Sequence, residues 1–191
     1  MTLTAHEHGT SPMRQAAEAA EEATGLRAEI IWGVLMMSPT PRFKHARVIN
    51  VIHEQLMSAL PEGMEAFQVA SVALPHDPDD YATPDLLVGD SALGDSDDWL
   101  AEPGSVVFVL EVVSRSNSTK DTQDMVRWYA EAGIPEYLVI DPRDGTWTLH
   151  TEPRGGEYQG TLHKQYGDEI VLNGLEVKLS TGSLPRYADG P

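Results

Sequence analysis

The sequence predicts an α/β fold: a mixed central sheet with helices on its faces, followed by a C-terminal antiparallel meander. Three observations lead to this prediction. Residues 105–114 form an almost unbroken apolar, β-branched run, which is typical of a central strand buried on both faces. Between residues 13 and 141, helical and strand patterns follow one another along the chain. From Thr146 onward, short strand patterns are separated by glycine-rich turns.

The first elements are predicted to be a helix and a hairpin. Residues 1–12 are polar, and we expect them to be flexible. Residues 13–24 are rich in Ala and Glu, follow a Ser-Pro pair and precede Gly25, which predicts a helix with proline in its first turn and glycine at its end. Residues 28–37 favour a hairpin that turns near Trp32 and Gly33.

The rest of the chain supplies the remaining elements. Apolar side chains recur at helical spacing over residues 44–60 and again over 119–132, and each segment ends near Pro or Gly. No internal repeat or long linker divides the chain, so we expect a single domain over residues 1–191. Strands are predicted at 66–74, 84–88, 106–113 and 136–141, and the terminal meander at 146–151, 157–166 and 169–179.

Composition narrows the class of protein. A chain of 191 residues is long enough to bury a core without covalent cross-links. It contains no cysteine, which excludes disulfides, thiolate zinc sites and cysteine nucleophiles. No apolar stretch reaches 18 residues, and the first thirty residues lack a signal-peptide pattern. We therefore expect a soluble, cytoplasmic protein with no membrane partner.

The chain is strongly acidic, with a formal net charge of −17 at pH 7. Such a charge opposes the approach of a phosphate backbone, although a local basic groove or a bound metal can override the average. Many of the acids lie in one segment without Lys or Arg, and the simplest interpretation is a solvated acidic loop. These acids are Asp77, Asp79, Asp80, Asp85, Asp90, Asp95, Asp97, Asp98 and Glu102.

Two carboxylates stand out from this background because they lie in apolar strands. Glu111 is near the end of the 105–114 run, and Asp85 opens a short apolar strand after Pro84. A buried charge costs on the order of several kcal/mol unless a partner compensates it. Two carboxylates on core strands suit Mg²⁺, which takes few protein oxygens and keeps its waters. Alternatively, Asp85 caps a turn and Glu111 pairs with a buried Arg or Lys. The residues themselves leave both interpretations open.

A small basic group marks the start of the second predicted helix. His45 lies in the first helical turn, with Arg42, Lys44 and Arg47 beside it. Positive charge at a helix N-terminus favours contact with a phosphate, so Arg42, Lys44 and His45 are the candidate substrate-binding residues. A solvated helical turn is the alternative. The sequence contains no P-loop, no dinucleotide fingerprint and no nucleophile elbow.

Several short motifs, taken in order, resemble those of the Uma-two family of bacterial proteins. That family is assigned to the PD-(D/E)xK, restriction-endonuclease-like superfamily. The likeness extends over residues 26–180 and is specific as a set of motifs rather than through any one of them. The motifs are Met36-Met-Ser-Pro39, His45, Pro84-Asp85, Glu111-Val-Val-Ser114, Tyr129-x-x-x-Gly-Ile-Pro-Glu-Tyr137 and Ile140-Asp-Pro142.

The resemblance implies a restriction-endonuclease-like core of strands flanked by helices, with a Mg²⁺ (or Mn²⁺) site on the central strands. It places Asp85, Glu111 and Val112 at the metal and adds Glu29 as a further acid. It also implies hydrolysis of DNA phosphodiester bonds. A homodimer is expected as well, because nucleases of this kind often cut two strands with paired sites.

The chain departs from the superfamily pattern at the lysine that orients the attacking water and offsets developing charge. Two residues after Glu111 stands Val113. In the resembled family the lysine lies on the next helix, four residues before the tyrosine, and this chain has Met125 there. Lys120 is the nearest replacement by sequence and Lys44 is a second. The predicted catalytic residues are therefore Asp85, Glu111 and Lys120.

Two functional hypotheses follow from these residues. The first is a divalent-metal-dependent endonuclease acting on DNA, which the paired acids and the order of the motifs favour. The second is a catalytically impaired or inactive relative that keeps the fold and serves as a binding module. The apolar residues at both lysine positions and the acidic net charge favour the second hypothesis.

Overall fold

Three helices and thirteen strands make up the fold in a computed structural model, which describes residues 11–114 and 123–187 apart from the side chain of Pro78. The helices are α1 (Pro12–Thr24), α2 (Phe43–Ala59) and α3 (Met125–Glu131). The strands are β1 (Arg27–Ile31), β2 (Val34–Ser38), β3 (Met64–Phe67), β4 (Ser71–Leu74), β5 (Asp77–Ala82), β6 (Leu86–Asp90), β7 (Leu100–Ala101), β8 (Val106–Val112), β9 (Glu136–Asp141), β10 (Thr146–Arg154), β11 (Glu157–Gln165), β12 (Ile170–Leu172) and β13 (Val177–Leu179).

The central sheet has six strands in the order β11-β10-β9-β8-β6-β3. β8 and β9 run parallel, and the other neighbours pair antiparallel, so the sheet is mixed as predicted. β8 lies inside this sheet and buries most of its side chains, which confirms the prediction from its apolar run. β10 and β11, the first two strands of the predicted C-terminal meander, pair antiparallel, and β10 also pairs antiparallel with β9.

A second sheet of five strands, in the order β2-β1-β5-β4-β7, packs beside the first. β12 and β13 form a separate antiparallel pair. The central sheet is covered on both faces. Side chains of α2 and of the β12–β13 pair join one core with Phe108 and Leu110. Side chains of α3 and of the second sheet join another core with Leu87 and Val109.

Most predicted elements are confirmed, and their boundaries have local causes. Ser11 caps α1 by accepting a hydrogen bond from the main-chain N–H of Arg14, and Gly25 ends the helix with a left-handed φ of 68°. The β1–β2 hairpin turns at Trp32 and Gly33, as predicted. The expected flexibility of residues 1–12 stays a prediction: Pro12 is the first residue of α1, and residues 1–10 lie outside the described ranges.

Three predictions of strands or loops are wrong. The segment 66–74 is divided between the two sheets, because the chain leaves β3 at Gln68 and re-enters as β4 in the other sheet. The segment 169–179 is likewise two short strands joined by a turn. Residues 77–82 form β5 rather than a loop, and Asp80 is only 1% exposed, with its carboxylate accepting a hydrogen bond from the Gly33 N–H at 2.8 Å.

The remaining acids of that segment are mostly at the surface, as a solvated acidic loop predicts. Asp90, Asp95, Asp97, Asp98 and Glu102 are all exposed. The helix predicted over 119–132 is present from Met125, and its predicted start falls in residues 115–122, outside the described ranges. Within the part of the chain that the structure describes, no helix is long and apolar enough to cross a membrane.

Candidate functional site

Asp85 and Glu111 are brought together by the pairing of β6 with β8. Leu86 pairs with Leu110 in this antiparallel ladder, so Asp85 and Glu111 are the next residues at the same end of the two strands. Opposed residues in antiparallel strands have Cα atoms roughly 5 Å apart. The main-chain N–H of Val112 donates a 2.8 Å hydrogen bond to Oδ2 of Asp85, which ties the two strand ends together. The structure therefore joins the two predicted acids.

Asp85 also contacts the second helix. The Nε2 atom of His45 lies 3.1 Å from Oδ2 of Asp85, and both side chains are about nine-tenths buried. The other ring nitrogen of His45, Nδ1, lies 3.4 Å from the hydroxyl of Tyr187 near the C-terminus. His45 is thus not a solvated residue of the first helical turn, because its ring holds the orientation of the Asp85 carboxylate. Oδ1 of Asp85 accepts no hydrogen bond from the described residues.

Glu111 is held by the third helix. The hydroxyl of Tyr129 donates a 2.9 Å hydrogen bond to Oε1 of Glu111, and Tyr129 is fully buried against Trp128 and Tyr137. Burial raises the pKa of Tyr129 well above its ordinary value, and the nearby charge of Glu111 raises it further. Tyr129 consequently remains a protonated donor at any physiological pH.

A third carboxylate enters from the second sheet. Glu29 of β1 is 4% exposed, and its Oε1 accepts a 2.9 Å hydrogen bond from the main-chain N–H of Thr83. Thr83 precedes Asp85 by two residues, so this hydrogen bond fixes the backbone just before Asp85. Glu29 is the further acid that the resemblance implies, and its role at the site stays a prediction.

Arg27 is a charged member of the site that the sequence analysis missed. Burial alone would lower the pKa of Arg27, but the negative charges of Glu29, Glu111 and Asp85 outweigh burial and raise it. Arg27 is the first residue of β1 and stands two positions before Glu29, so the two side chains share one face of the strand. That spacing from Glu29 is the sequence signal that was available.

A pocket of about 270 Å³ opens beside these charges. Arg27 and Asp85 line it. The other walls are Ser38 at the end of β2, residues 39–41 that follow it, Ala46, Ile49 and Asn50 of α2, and the loop at Gln68 and Val69. A larger cavity of about 400 Å³ lies at the β1–β2 turn, where Trp32, Asp80 and Glu131 line it. None of the predicted site residues borders that larger cavity. The smaller pocket is therefore the one that reaches the candidate site, through Asp85 and Arg27.

The other predicted site residues lie in different surroundings. Lys44 donates a 3.0 Å hydrogen bond from its ammonium to the carbonyl oxygen of Arg186. Arg42 is exposed at the start of α2. Lys120 falls outside the described ranges. The two positions that the resemblance assigns to lysine are core positions, since Val113 is 0% exposed and Met125 is 2% exposed.

The described residues hold no group of three or more His, Asp or Glu side chains arranged to bind a metal ion. Asp85 and Glu111 do place two carboxylates at paired positions where β6 begins and β8 ends. Mg²⁺ is typically held by one or two carboxylates, together with waters and substrate phosphate oxygens. Val112 has only main-chain atoms to offer, and its N–H is already bonded to Asp85. The donor set fits a hard divalent ion with an incomplete protein shell.

Comparison with known proteins identifies the family. Residues 14–184 match the family model Uma2, which is described as "Putative restriction endonuclease". The chain belongs to the Uma2 family. The match includes β1, both strands that carry Asp85 and Glu111, and helix α3. It confirms the resemblance to the Uma-two family drawn from the short motifs.

A solved structure supports the fold of this Uma2 chain. It is titled "Crystal structure of a putative nuclease belonging to DUF820 from Anabaena variabilis ATCC 29413". The two structures superpose with a TM-score of 0.65 at 18% sequence identity, over 84% of this chain and 90% of that chain. At this identity the likeness shows a shared fold. No curated protein matches the chain.

Proposed function

We propose that this Uma2 chain is a divalent-metal-dependent endonuclease that hydrolyses phosphodiester bonds of DNA. The observation that carries the proposal is the convergence of Asp85 and Glu111 at the open end of the β6–β8 ladder, beside a pocket. Asp85 and Glu111 are the proposed ligands of Mg²⁺ or Mn²⁺. A divalent ion bound there would polarise a phosphodiester and lower the pKa of a water molecule.

The surrounding residues support this assignment through their contacts with the two carboxylates. His45 and the Val112 N–H both hold Oδ2 of Asp85, which leaves Oδ1 for a ligand. Tyr129 fixes Oε1 of Glu111. Such outer contacts orient metal-binding groups and typically change metal affinity or activity by about 10–100-fold when they are removed. Glu29, with its main-chain partner at Thr83, adds negative charge beside the pair.

The charge balance also fits a doubly charged ion. Among the described residues, the carboxylates of Glu29, Asp85 and Glu111 lie within electrostatic range of the Arg27 guanidinium and exceed it by two negative charges. A divalent cation would neutralise that excess. It would also attract a phosphate despite the overall net charge of −17, because a local field decides binding at close range.

Calorimetric titration of Mn²⁺ and Mg²⁺ into the wild type and Asp85→Asn tests the proposal. We expect binding to the wild type, and no binding to Asp85→Asn. The matched control is Asp90→Asn, which removes an exposed acid at the other end of β6 and should leave binding unchanged. Cleavage of supercoiled and linear DNA by the same variants then tests hydrolysis. Equal metal binding by the wild type and Asp85→Asn would contradict the proposed site.

A second candidate function, a non-catalytic binding module, is favoured by one observation. Val113 and Met125 fill both expected lysine positions with buried apolar side chains. On this alternative the wild type binds metal and DNA without cutting. Met125→Lys would then place an ammonium beside Tyr129 and create cleavage where there was none, whereas an active enzyme would gain nothing. Lys120 and Lys44 remain the catalytic-lysine candidates, and the variants Lys120→Ala and Lys44→Ala test them.

The expected partners are DNA and a second copy of this chain. β11 is an edge strand of the central sheet with nine residues, and the meander that contains it either forms the dimer contact or only covers the sheet. Sedimentation velocity over a range of protein concentrations tests the dimer. A single species with the mass of one chain, 20.9 kDa, would contradict it.

A further inference from the structure

The candidate site lacks an ammonium at the two positions where its family pattern predicts one. Val113 packs against the second sheet, and Met125 packs with Trp128 and Tyr129 in the same core. Neither position offers a charge to a phosphate. A nuclease site nevertheless needs a cation that binds the phosphate and offsets the charge that develops during hydrolysis.

Arg27 lies where such a cation would be needed. It lines the 270 Å³ pocket together with Asp85, and its neighbour across the hairpin, Ser38, lines the same pocket. Glu29 lies on the same face of β1, and its carboxylate is fixed two residues before Asp85 through Thr83. The start of β1 therefore places the Arg27 guanidinium on the same pocket wall as Asp85.

The guanidinium of Arg27 is not saturated by the protein. Its Nε atom is buried and has no hydrogen-bond partner among the described residues. A buried donor without a partner is costly, typically by about 1–3 kcal/mol, so an acceptor is expected at some stage of function. The negative field of Glu29, Glu111 and Asp85 keeps the group charged and in place. A phosphate oxygen entering the pocket is an acceptor of the right charge and geometry.

We infer that Arg27 is a phosphate-binding cation of the site, acting beside whichever of Lys120 and Lys44 serves as the catalytic lysine. The inference rests on the proposed function. In a rival role, Arg27 is only an internal counter-ion of the carboxylates, and a bound metal ion displaces it from the site. The charges disfavour the rival, because three carboxylates balance a divalent ion and one guanidinium together. A bound ion therefore gives Arg27 no electrostatic reason to leave.

The experiment compares wild type, Arg27→Ala and Arg27→Lys, with Arg14→Ala as the matched control. Arg14 is also a partly buried arginine, but it packs on Tyr81 and Trp99, away from the carboxylate pair. Calorimetry measures the binding of Mn²⁺ alone and of inorganic phosphate to the Mn²⁺-loaded proteins. DNA cleavage and thermal unfolding are measured on the same samples.

We expect Arg27→Ala to bind phosphate at least about 10-fold more weakly and to cut DNA at least about 100-fold more slowly. Its affinity for Mn²⁺ should rise, because a positive neighbour of the ligands is gone. Arg27→Lys should recover part of both losses, since it keeps the charge without the planar fork. Millimolar guanidinium should restore cleavage by Arg27→Ala through the vacated pocket, and Arg14→Ala should behave as wild type.

Several outcomes overturn the inference. Unchanged phosphate binding and cleavage in Arg27→Ala would show that the group does not contact substrate. Weaker Mn²⁺ binding by Arg27→Ala and by Arg27→Lys would assign Arg27 a structural role in the site. Stronger phosphate binding by Arg27→Ala would establish the rival counter-ion role. Failure of the wild type to bind Mn²⁺ would instead remove the proposed function itself, and so is distinct from these results.

Discussion

A half-buried carboxylate, Glu111, and a buried one, Glu136, lie at opposite ends of the parallel β8–β9 pair and have different surroundings. Glu111 is at the end of β8, where Tyr129 donates to it and the charge of Arg27 lies close by. Glu136 begins β9, and its Oε1 has a long 3.4 Å hydrogen bond from the Gly174 N–H, while its Oε2 has no partner in the described structure.

Burial alone does not single out Glu111, the proposed metal ligand, because Glu136 is the more deeply buried of the two acids. Glu111 shares its site with two other carboxylates and a cation, and that site opens on a pocket. Glu136 is 5% exposed, and among the described residues only main-chain N–H groups compensate its charge. Both acids lie in motifs of the family resemblance, Glu111-Val-Val-Ser114 and Gly133-Ile-Pro-Glu-Tyr137, so the motifs alone could not distinguish them.

The largest expected difference between the two ends is in activity. Glu111→Gln should lower DNA cleavage by at least about 100-fold, because even outer contacts of a metal site are worth about 10–100-fold and Glu111 is a proposed ligand. Glu136→Gln should change cleavage by less than about threefold, since it lies far along β9 from the pocket. Initial rates at saturating Mg²⁺ measure both. Comparable losses in the two variants would remove the distinction.

The support of Glu111 by its tyrosine should have a smaller effect. Tyr129→Phe removes the hydroxyl that donates to Oε1, and we expect about a 10-fold loss of cleavage or metal affinity. Tyr158→Phe is the control, because that hydroxyl donates to the Ile134 carbonyl instead. Both variants should lose stability. A loss of activity in Tyr158→Phe equal to that in Tyr129→Phe would mean that stability, not the contact with Glu111, explains the effect.

At the other end of the pair, removing charge should stabilise the fold. Burial raises the pKa of Glu136 above 4.5, although main-chain N–H groups of Gly174 and Asn173 oppose the shift. The folded state therefore binds a proton more tightly than the unfolded state. The stabilisation of the fold that this tighter proton binding gives is fully present below about pH 4.5. It is lost as the pH rises through the pKa of Glu136 in the folded state.

Glu136→Gln should accordingly raise the free energy of unfolding by about 1 kcal/mol at pH 7. The advantage over the wild type should shrink as the pH falls toward 4.5, where Glu136 is protonated. Glu169→Gln, at an exposed position beside β12, should show neither effect. Urea unfolding at a series of pH values measures the difference. An advantage that grows on acidification would contradict the assigned direction.

The smallest expected effect is a change in stability from backbone strain, at Val69 near the Glu111 end of the β8–β9 pair and at Glu176 near the Glu136 end. Val69, on the pocket wall, has a φ of 62°, and Glu176, in the turn that follows Gly174, has a φ of 56°. A β-branched residue is strained there, whereas an unbranched one is less so. Val69→Asn should therefore raise the stability by about 1 kcal/mol, and Glu176→Asn by less. Thermal unfolding compares them, and destabilisation by Val69→Asn would show that its conformation is not strained.

The sequence predicted the central sheet because local patterns encode it. β8 and β9 are short apolar runs, and α1 and α2 carry caps or helical spacing that do not depend on distant contacts. The same patterns could not show that residues 66–74 divide between two sheets. That division is decided by the pairing of β3 with β6 and of β4 with β5, which involves long-range contacts.

The site was predicted only in part for a related reason. Asp85 and Glu111 were visible as charges in apolar strands. The contact of His45 with Asp85, and the charge of Arg27 near both acids, depend on elements far apart in sequence. A single arginine at the start of a strand resembles an ordinary surface residue. Asp80 was misassigned to the acidic loop because its burial depends on the β1–β2 turn.

The separation of the site residues along the chain links ligand binding to folding. Arg27, Asp85, Glu111 and Tyr129 come from four elements spread over more than half of the sequence. An ion or phosphate that contacts several of them binds the assembled structure and not its fragments. At a ligand concentration 100 times the dissociation constant, such binding adds about 2.7 kcal/mol to the free energy of unfolding. The melting temperature should therefore report occupancy of the site before any substrate has been identified.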